Sequence, residues 1–175
     1  MVKWKINIFT TLQQTSMLKK ARLYVLLFVF LLTGFLSTRC TNTTVYDQIK
    51  PVETPWKSTD PLLFEVNIED TISPMNFYFH VRNNIEYRYS NLFLFFQTTF
   101  PDQRIAIDTF NIWLAAPDGK WLGKGFGKYR DSEISFKMKG RFPQKGMYTF
   151  RVEQAMRDIE LTGIESIGIR IEYDH

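Results

Sequence analysis

One cysteine, two histidines, a glycine-rich run and a few tryptophans are the residues of this 175-residue chain with chemistry to offer. Cys40 is the only thiol, so no disulfide framework is available. His80 alternates with Phe77, Phe79 and Val81, which puts it on the opposite face of a strand, and His175 is the last residue. A zinc centre needs three or four converging ligands. One histidine in an ordered stretch does not supply them, so no metal and no cofactor are expected. A hydrolase built on His80 is the weakest reading, because no Gly-x-Ser-x-Gly elbow accompanies it. Gly123-Lys124-Gly125-Phe126-Gly127 resembles a phosphate cradle, yet such a cradle opens a helix. Lys128–Phe136 reads instead as loop then strand. The alternate glycines leave one face bare, where a neighbour packs closely. A glycosidase pair such as Asp102 with Asp108 is a weak reading, since it depends on a separation in space that sequence spacing does not give. The expectation is a protein that is not an enzyme.

Aromatic side chains are the abundant resource, with 16 Phe, 8 Tyr and 4 Trp. Trp113 and Trp121 flank the Pro117-Asp118-Gly119 turn. They are read as core or cross-strand partners, or else as a stacking platform for sugars, which makes a glycan-binding module the alternative function. Aromatic residues without a catalytic set otherwise point to protein–protein contact.

The elements that must position these residues have a period of two. Leu62, Phe64, Val66 and Ile68 alternate with Leu63, Glu65, Asn67 and Glu69. Phe77, Phe79 and Val81 form a second strand, ended by Asn83-Asn84. Tyr87–Thr99 carries a third, whose stretch Asn91–Gln97 is apolar on both sides and therefore reads as central. Phe110–Ala115 is a strand leading to the Asp118-Gly119 turn, with Lys120–Leu122 as its return. Ile134, Phe136 and Met138 share a side, as do Tyr148, Phe150 and Val152, and finally Ile167, Ile169 and Ile171. Seven or eight short strands predict an all-β fold, an antiparallel β-sandwich of immunoglobulin-like or jelly-roll type over residues 61–175.

Ahead of it, Lys19, Lys20 and Arg22 precede an unbroken apolar run from Leu23 to Leu36, then Cys40. This is the layout of a secretory signal, short for a membrane-spanning helix. A lone cysteine just behind the run is where signal peptidase II cleaves and lipid is attached. The residues before it, Ser37, Thr38 and Arg39, depart from the usual lipobox. Residues 1–39 are thus read as the signal peptide, with Met17 as a plausible start. Residues 40–60 are read as the lipidated cysteine and a flexible tether, with Trp56 as the first residue to dock on the domain.

The net charge of +4 misleads. Six of the 22 Lys and Arg residues precede Cys40 and none of the 18 Asp and Glu do, leaving 16 against 18, or −2, for the remainder. Nucleic acid, which needs a clustered cationic face, is not an expected partner.

Several stretches resemble one family. Tyr87-x-Tyr89-x-Asn91-Leu92-x-Leu94 is similar to a run of the gliding-motility lipoprotein GldH family, as are Asp108-Thr109, Leu114-Ala115 and Gly119-x-Trp121-Leu122-Gly123-x-Gly125. Gly146-x-Tyr148-x-Phe150, Gln154-Ala155-Met156-Arg157 and Leu161-x-Gly163-Ile164 resemble its closing pattern. The resemblance spans the chain after Cys40. It implies a Bacteroidota envelope lipoprotein of the outer membrane, linked to gliding and type IX secretion, with partners among other envelope lipoproteins or motility and secretion components. Surface-exposed lipoproteins of that phylum usually carry an acidic cluster just after the cysteine; Thr41-Asn42-Thr43-Thr44 lacks one, so the resemblance implies a periplasm-facing domain. The family supplies no catalytic residues. Asp108, Trp113, Trp121, Gly123, Gly125, Met156 and Arg157 are the candidates for interaction or for holding the fold, and Cys40 for the membrane anchor.

Overall fold

The computed structural model describes residues 43–174. Cys40 and the segment read as a signal peptide lie outside them. Alternation of apolar and polar residues produces β1 (Thr44–Pro51), β2 (Trp56–Lys57), β3 (Leu62–Ile68), β4 (Met75–Asn84) and β5 (Asn91–Thr99). There follow β6 (Ile105–Trp113), β7 (Tyr129–Gly140), β8 (Gly146–Gln154), β9 (Glu160–Leu161) and β10 (Ile164–Tyr173). They make one sheet in the order β1-β10-β4-β7, a second in the order β3-β8-β5-β6, and a small β2-β9 pair. All pairings are antiparallel.

The two large sheets bury their facing sides as a sandwich. Phe77, Phe79 and Val81 of β4 and Ile167, Ile169 and Ile171 of β10 meet Leu92, Leu94 and Phe96 of β5 and Tyr148, Phe150 and Val152 of β8. A ring cluster ties the layers: Phe79 lies edge-on to Phe96 at 5.6 Å, stacks on Phe136 at 4.1 Å, and Phe96 stacks on Phe150 at 5.2 Å. Such pairs add to the stabilisation from apolar burial alone.

Four expectations are corrected. The chain joins the sheet at Thr44 rather than after a tether ending at 60, because β1 pairs with β10 from Thr44↔Glu172 to Pro51↔Ser166. Its apolar signal is weak since an edge strand covers little of the core. Trp56 is buried, its indole N–H donating to the Asp60 carbonyl at 2.8 Å, but β1 docks before it. Asn83-Asn84 do not interrupt β4 but are its last two residues, paired with Arg130 and Tyr129. Met138 does not share a side with Ile134 and Phe136, because bulges opposite Phe77 turn it out to solvent.

Candidate interaction surface

Strand β5 is central and flanked by β8 and β6, as its composition suggested, but only one of its faces is covered. Leu92, Leu94 and Phe96 are buried, while Phe93 and Phe95 stand on the outer face, 38% and 46% exposed. The register sets Phe93 opposite Asn111 and Phe95 opposite Thr109 of β6. Their diagonal neighbours are then Trp113, 56% exposed, and Ile107, 67% exposed. Ile105 continues the face at the start of β6. Met156 closes the other flank, its Sδ accepting from the Phe93 N–H at 3.3 Å. A contiguous apolar surface on the outside of a sheet marks an interaction site more often than chance exposure does. Sequence reading missed it because an apolar run on both faces looks like double burial; the register and the absence of a covering layer decide otherwise.

The sequence candidates fall in different places. Asp108 sits mid-strand in β6, on the inward side of that edge strand. It lines an aromatic cleft of about 430 Å³ between β6 and β7, with Phe110, Phe136, Lys137 and Arg141. An inward-pointing charge is one way to keep an edge strand from pairing with another chain. Trp113 belongs to the outer apolar face. Trp121 bridges to Ala115 and packs partly on the core. Among the described residues the two indoles make no ring contact with each other. Gly123 and Gly125 admit a close approach of β7. A Cβ on Gly123 would lie 2.5 Å from the Ser132 Oγ, and one on Gly125 would strike the Tyr129 carbonyl. Lys124 and Asp131 exchange backbone hydrogen bonds there at 2.8 and 2.6 Å. Trp113 and Gly123 do converge, with His80, Asn111 and Lys124, along a groove of about 730 Å³. Arg157 is exposed on the loop after Met156.

On the other sheet, His80 points outward between two carboxylates, its Nε2 3.6 Å from Glu133 and 3.8 Å from Asp47. Among the described residues no hydroxyl hydrogen-bonds to it, and no three His, Cys, Asp or Glu side chains are arranged to hold a metal. Its neighbours form an ionic ladder: Arg82 grips Asp131 with two bonds of 2.6 and 3.0 Å, and Arg170 reaches Glu133 and Glu172.

The sequence of the whole domain decides the affiliation. The model of the family described as "GldH lipoprotein" matches residues 44–171. The chain belongs to that family. It is 35% identical over 152 residues to a gliding motility lipoprotein GldH homolog of Christiangramia forsetii, covering 83% of this chain and 93% of that protein. It is 30% identical over 151 residues to the gliding motility lipoprotein GldH of Flavobacterium johnsoniae, covering 82% and 94%. Among solved structures, the Yersinia pseudotuberculosis-derived mitogen aligns with a TM-score of 0.31 and 4% identity over 74% of this chain and 85% of its own, a likeness that carries no argument.

The geometry also says what the GldH-like pattern residues do. The buried Tyr87 donates its hydroxyl to the Asn91 carbonyl at 2.8 Å, and burial pushes its phenol well above the ordinary tyrosine range. Gly163, at φ +91°, lies so close that a Cβ would be 2.7 Å from the Tyr87 Cα. Gln154, buried, donates to the Asp158 carbonyl at 2.8 Å and accepts from the Met156 N–H at 2.8 Å, which fixes the 155–159 loop. Tyr89 donates to the Asp158 carboxylate at 2.6 Å, and this bond raises its phenol. These residues lock the end of the sandwich beside the apolar face, so much of the family pattern encodes shape.

Proposed function

We propose that this GldH-family lipoprotein is a non-catalytic structural component of the cell envelope, anchored through lipid on Cys40 to the outer membrane and facing the periplasm. In this reading it works by holding the outer face of β5 and β6 against a protein of the motility machinery or of the secretion apparatus linked to it. The observation that carries the proposal is the apolar face formed by Phe93, Phe95, Ile107 and Trp113 on a sheet whose inner face is already filled. Aromatic anchors of this kind dominate protein interfaces.

The test is capture of partners by the full chain from solubilised outer membranes, comparing wild type with Phe95→Glu and Ile107→Glu. Both substitutions should abolish capture of the same envelope protein while leaving the thermal midpoint near that of wild type. Undiminished capture by both variants would overturn the assignment of the face. Binding to purified glycans that disappears in Trp113→Ala would favour the glycan-binding alternative.

A further inference from the structure

We propose that the sandwich stands upright on the bilayer, with the Asp70–Pro74 turn against the lipid surface and Ile72 in its interfacial layer. The inference rests on lipid attachment at Cys40, as proposed above.

Little chain lies between anchor and fold. Thr44 already pairs with Glu172 of β10. Four Cα–Cα steps separate it from Cys40, and a fully extended chain covers at most about 14 Å in that distance. With the expected tether replaced by β1, the domain cannot swing far from its anchor.

Thr44 also fixes which end of the sandwich faces the anchor. β10 pairs Tyr173 with Met75, and β4 pairs Met75 with Gly140. In the other sheet Ile68 pairs with Gly146, and Thr99 with Ile105. The connections 69–74, 100–104 and 141–145 therefore share the end at which the chain enters. The connections 52–61, 85–90, 114–128 and 155–163 lie at the opposite end, a strand length away. Ten residues of β4 make that about 30 Å.

At the entry end, Ile72 is 82% exposed at the tip of a turn that is held stiff. The N–H groups of Ile72 and Ser73 donate to the Asp70 carboxylate at 2.7 and 3.0 Å. Arg141 Nε donates to the Ile72 carbonyl at 2.7 Å, and the Asp174 N–H donates to the Pro74 carbonyl at 2.9 Å. A rigid turn bearing an apolar tip, with Arg141 attached to it and the exposed Lys145 on the adjacent connection, fits an interface of acyl chains and phosphate headgroups.

Lying flat on the β5–β6 face is the competing pose, and it strains the tether. β1 belongs to the other layer, about 10 Å higher before side chains are counted. That pose uses up the whole reach from Cys40, whereas the upright one uses little and leaves the apolar face open to a protein.

Acylated Cys40 has no free thiol, so single cysteines introduced elsewhere are selectively labelled. Full-length Ile72→Cys, Ile107→Cys and Phe126→Cys, each carrying an environment-sensitive fluorophore, would be bound to vesicles of phosphatidylethanolamine and phosphatidylglycerol containing a nitroxide-lipid quencher. The probe at 72 should lose most of its emission while those at 107 and 126 keep theirs. Quenching strongest at 107 would show the flat pose. Equal, weak quenching at all three would show a domain standing clear of the lipid. Either result overturns the proposal. Intact mass of the wild type reads the anchor separately. An acylated Cys40 with no quenching at 72 removes only the contact, whereas an unacylated Cys40 removes the anchor and the inference with it.

Discussion

The outer faces of the two sheets are built to opposite rules. On the β1-β10-β4-β7 sheet the outward positions carry Asp47, Arg170, His80, Glu133, Arg82 and Asp131, paired across strands. On the β3-β8-β5-β6 sheet they include Phe93, Phe95, Ile107 and Trp113. Both sheets fill their inner faces largely with apolar side chains, so the fold itself does not require this asymmetry. A cross-strand ladder of opposite charges is content in water and discourages wrong partners. An apolar face gains by being covered. The difference teaches that one side of the sandwich is finished as it stands and the other is not.

Adjacent residues on β5 give the sharpest break in that comparison. Phe96 is 4% exposed and stacks on Phe150, so Phe96→Ala should cost about 3–5 kcal/mol in urea unfolding. Phe95, its neighbour, touches water, and Phe95→Ala should cost about 1 kcal/mol or less. Comparable losses at both positions would mean that Phe95 does structural duty and that the face is not held in reserve. The next largest effect tests the charged side. Gly168 is buried beneath that ladder, and a Cβ there would lie 2.7 Å from Ile49 Cγ1 and 2.9 Å from the Gln48 carbonyl. Gly168→Ala should therefore loosen β1 and cost about 1–3 kcal/mol. A neutral result would show that β1 yields easily and holds the domain less closely to its anchor.

Much of the fold was legible because burial imposes a period of two. Leu62–Ile68 is a strand over the range read from its alternation, Ile167, Ile169 and Ile171 do share the buried side of β10, and the all-β sandwich follows from repeating that pattern. What escaped did so for physical reasons. β1 is an edge strand with a weak apolar side. At the start of β6 the large residues Ile105 and Ile107 point outward while Ala106 and Asp108 point inward, which inverts the usual cue. Met138 was displaced by bulges that no local signal announces. The candidate surface was half legible: Trp113 and Met156 were singled out, but Phe93, Phe95 and Ile107 join them only through the β5–β6 register. Asp108 and Gly125, close in motif, serve the edge of one sheet and the approach of β7 to the hairpin.

A smaller effect bears on how firmly the charged ladder is fixed. Arg82 and Asp131 are both about half exposed, so their paired bonds should contribute only about 0.5 kcal/mol in a double-mutant cycle. The coupling should shrink further at 1 M salt, where the Debye length falls to about 3 Å. A salt-insensitive coupling well above that would indicate a face more rigid than solvent exposure allows.

The smallest effect separates two turns at the end where the chain enters the sandwich. Asp70 and Asp102 both titrate below the ordinary carboxylate range, but for different reasons. Asp70 is held down by bonds from the Ser73 side chain and the Ser73 and Ile72 N–H groups. Asp102 is held down chiefly by Arg104, whose Nε lies 2.7 Å away. A carboxyl whose folded pKa is lowered stabilises the fold above its unfolded pKa, and that contribution is lost as the pH falls through the folded value. Asp70→Asn and Asp102→Asn should each make acid unfolding less steep. Because the charge attraction to Arg104 is screened and a turn's hydrogen bonds are not, high salt should reduce the Asp102 effect more than that of Asp70. Carboxyl NMR titrations at low and high salt read both groups in one sample. If the Asp70 shift also collapsed with salt, its turn would be held by charge rather than by geometry, and Ile72 would lose the stiff mount that sets it apart from the exposed apolar side chains elsewhere on the surface.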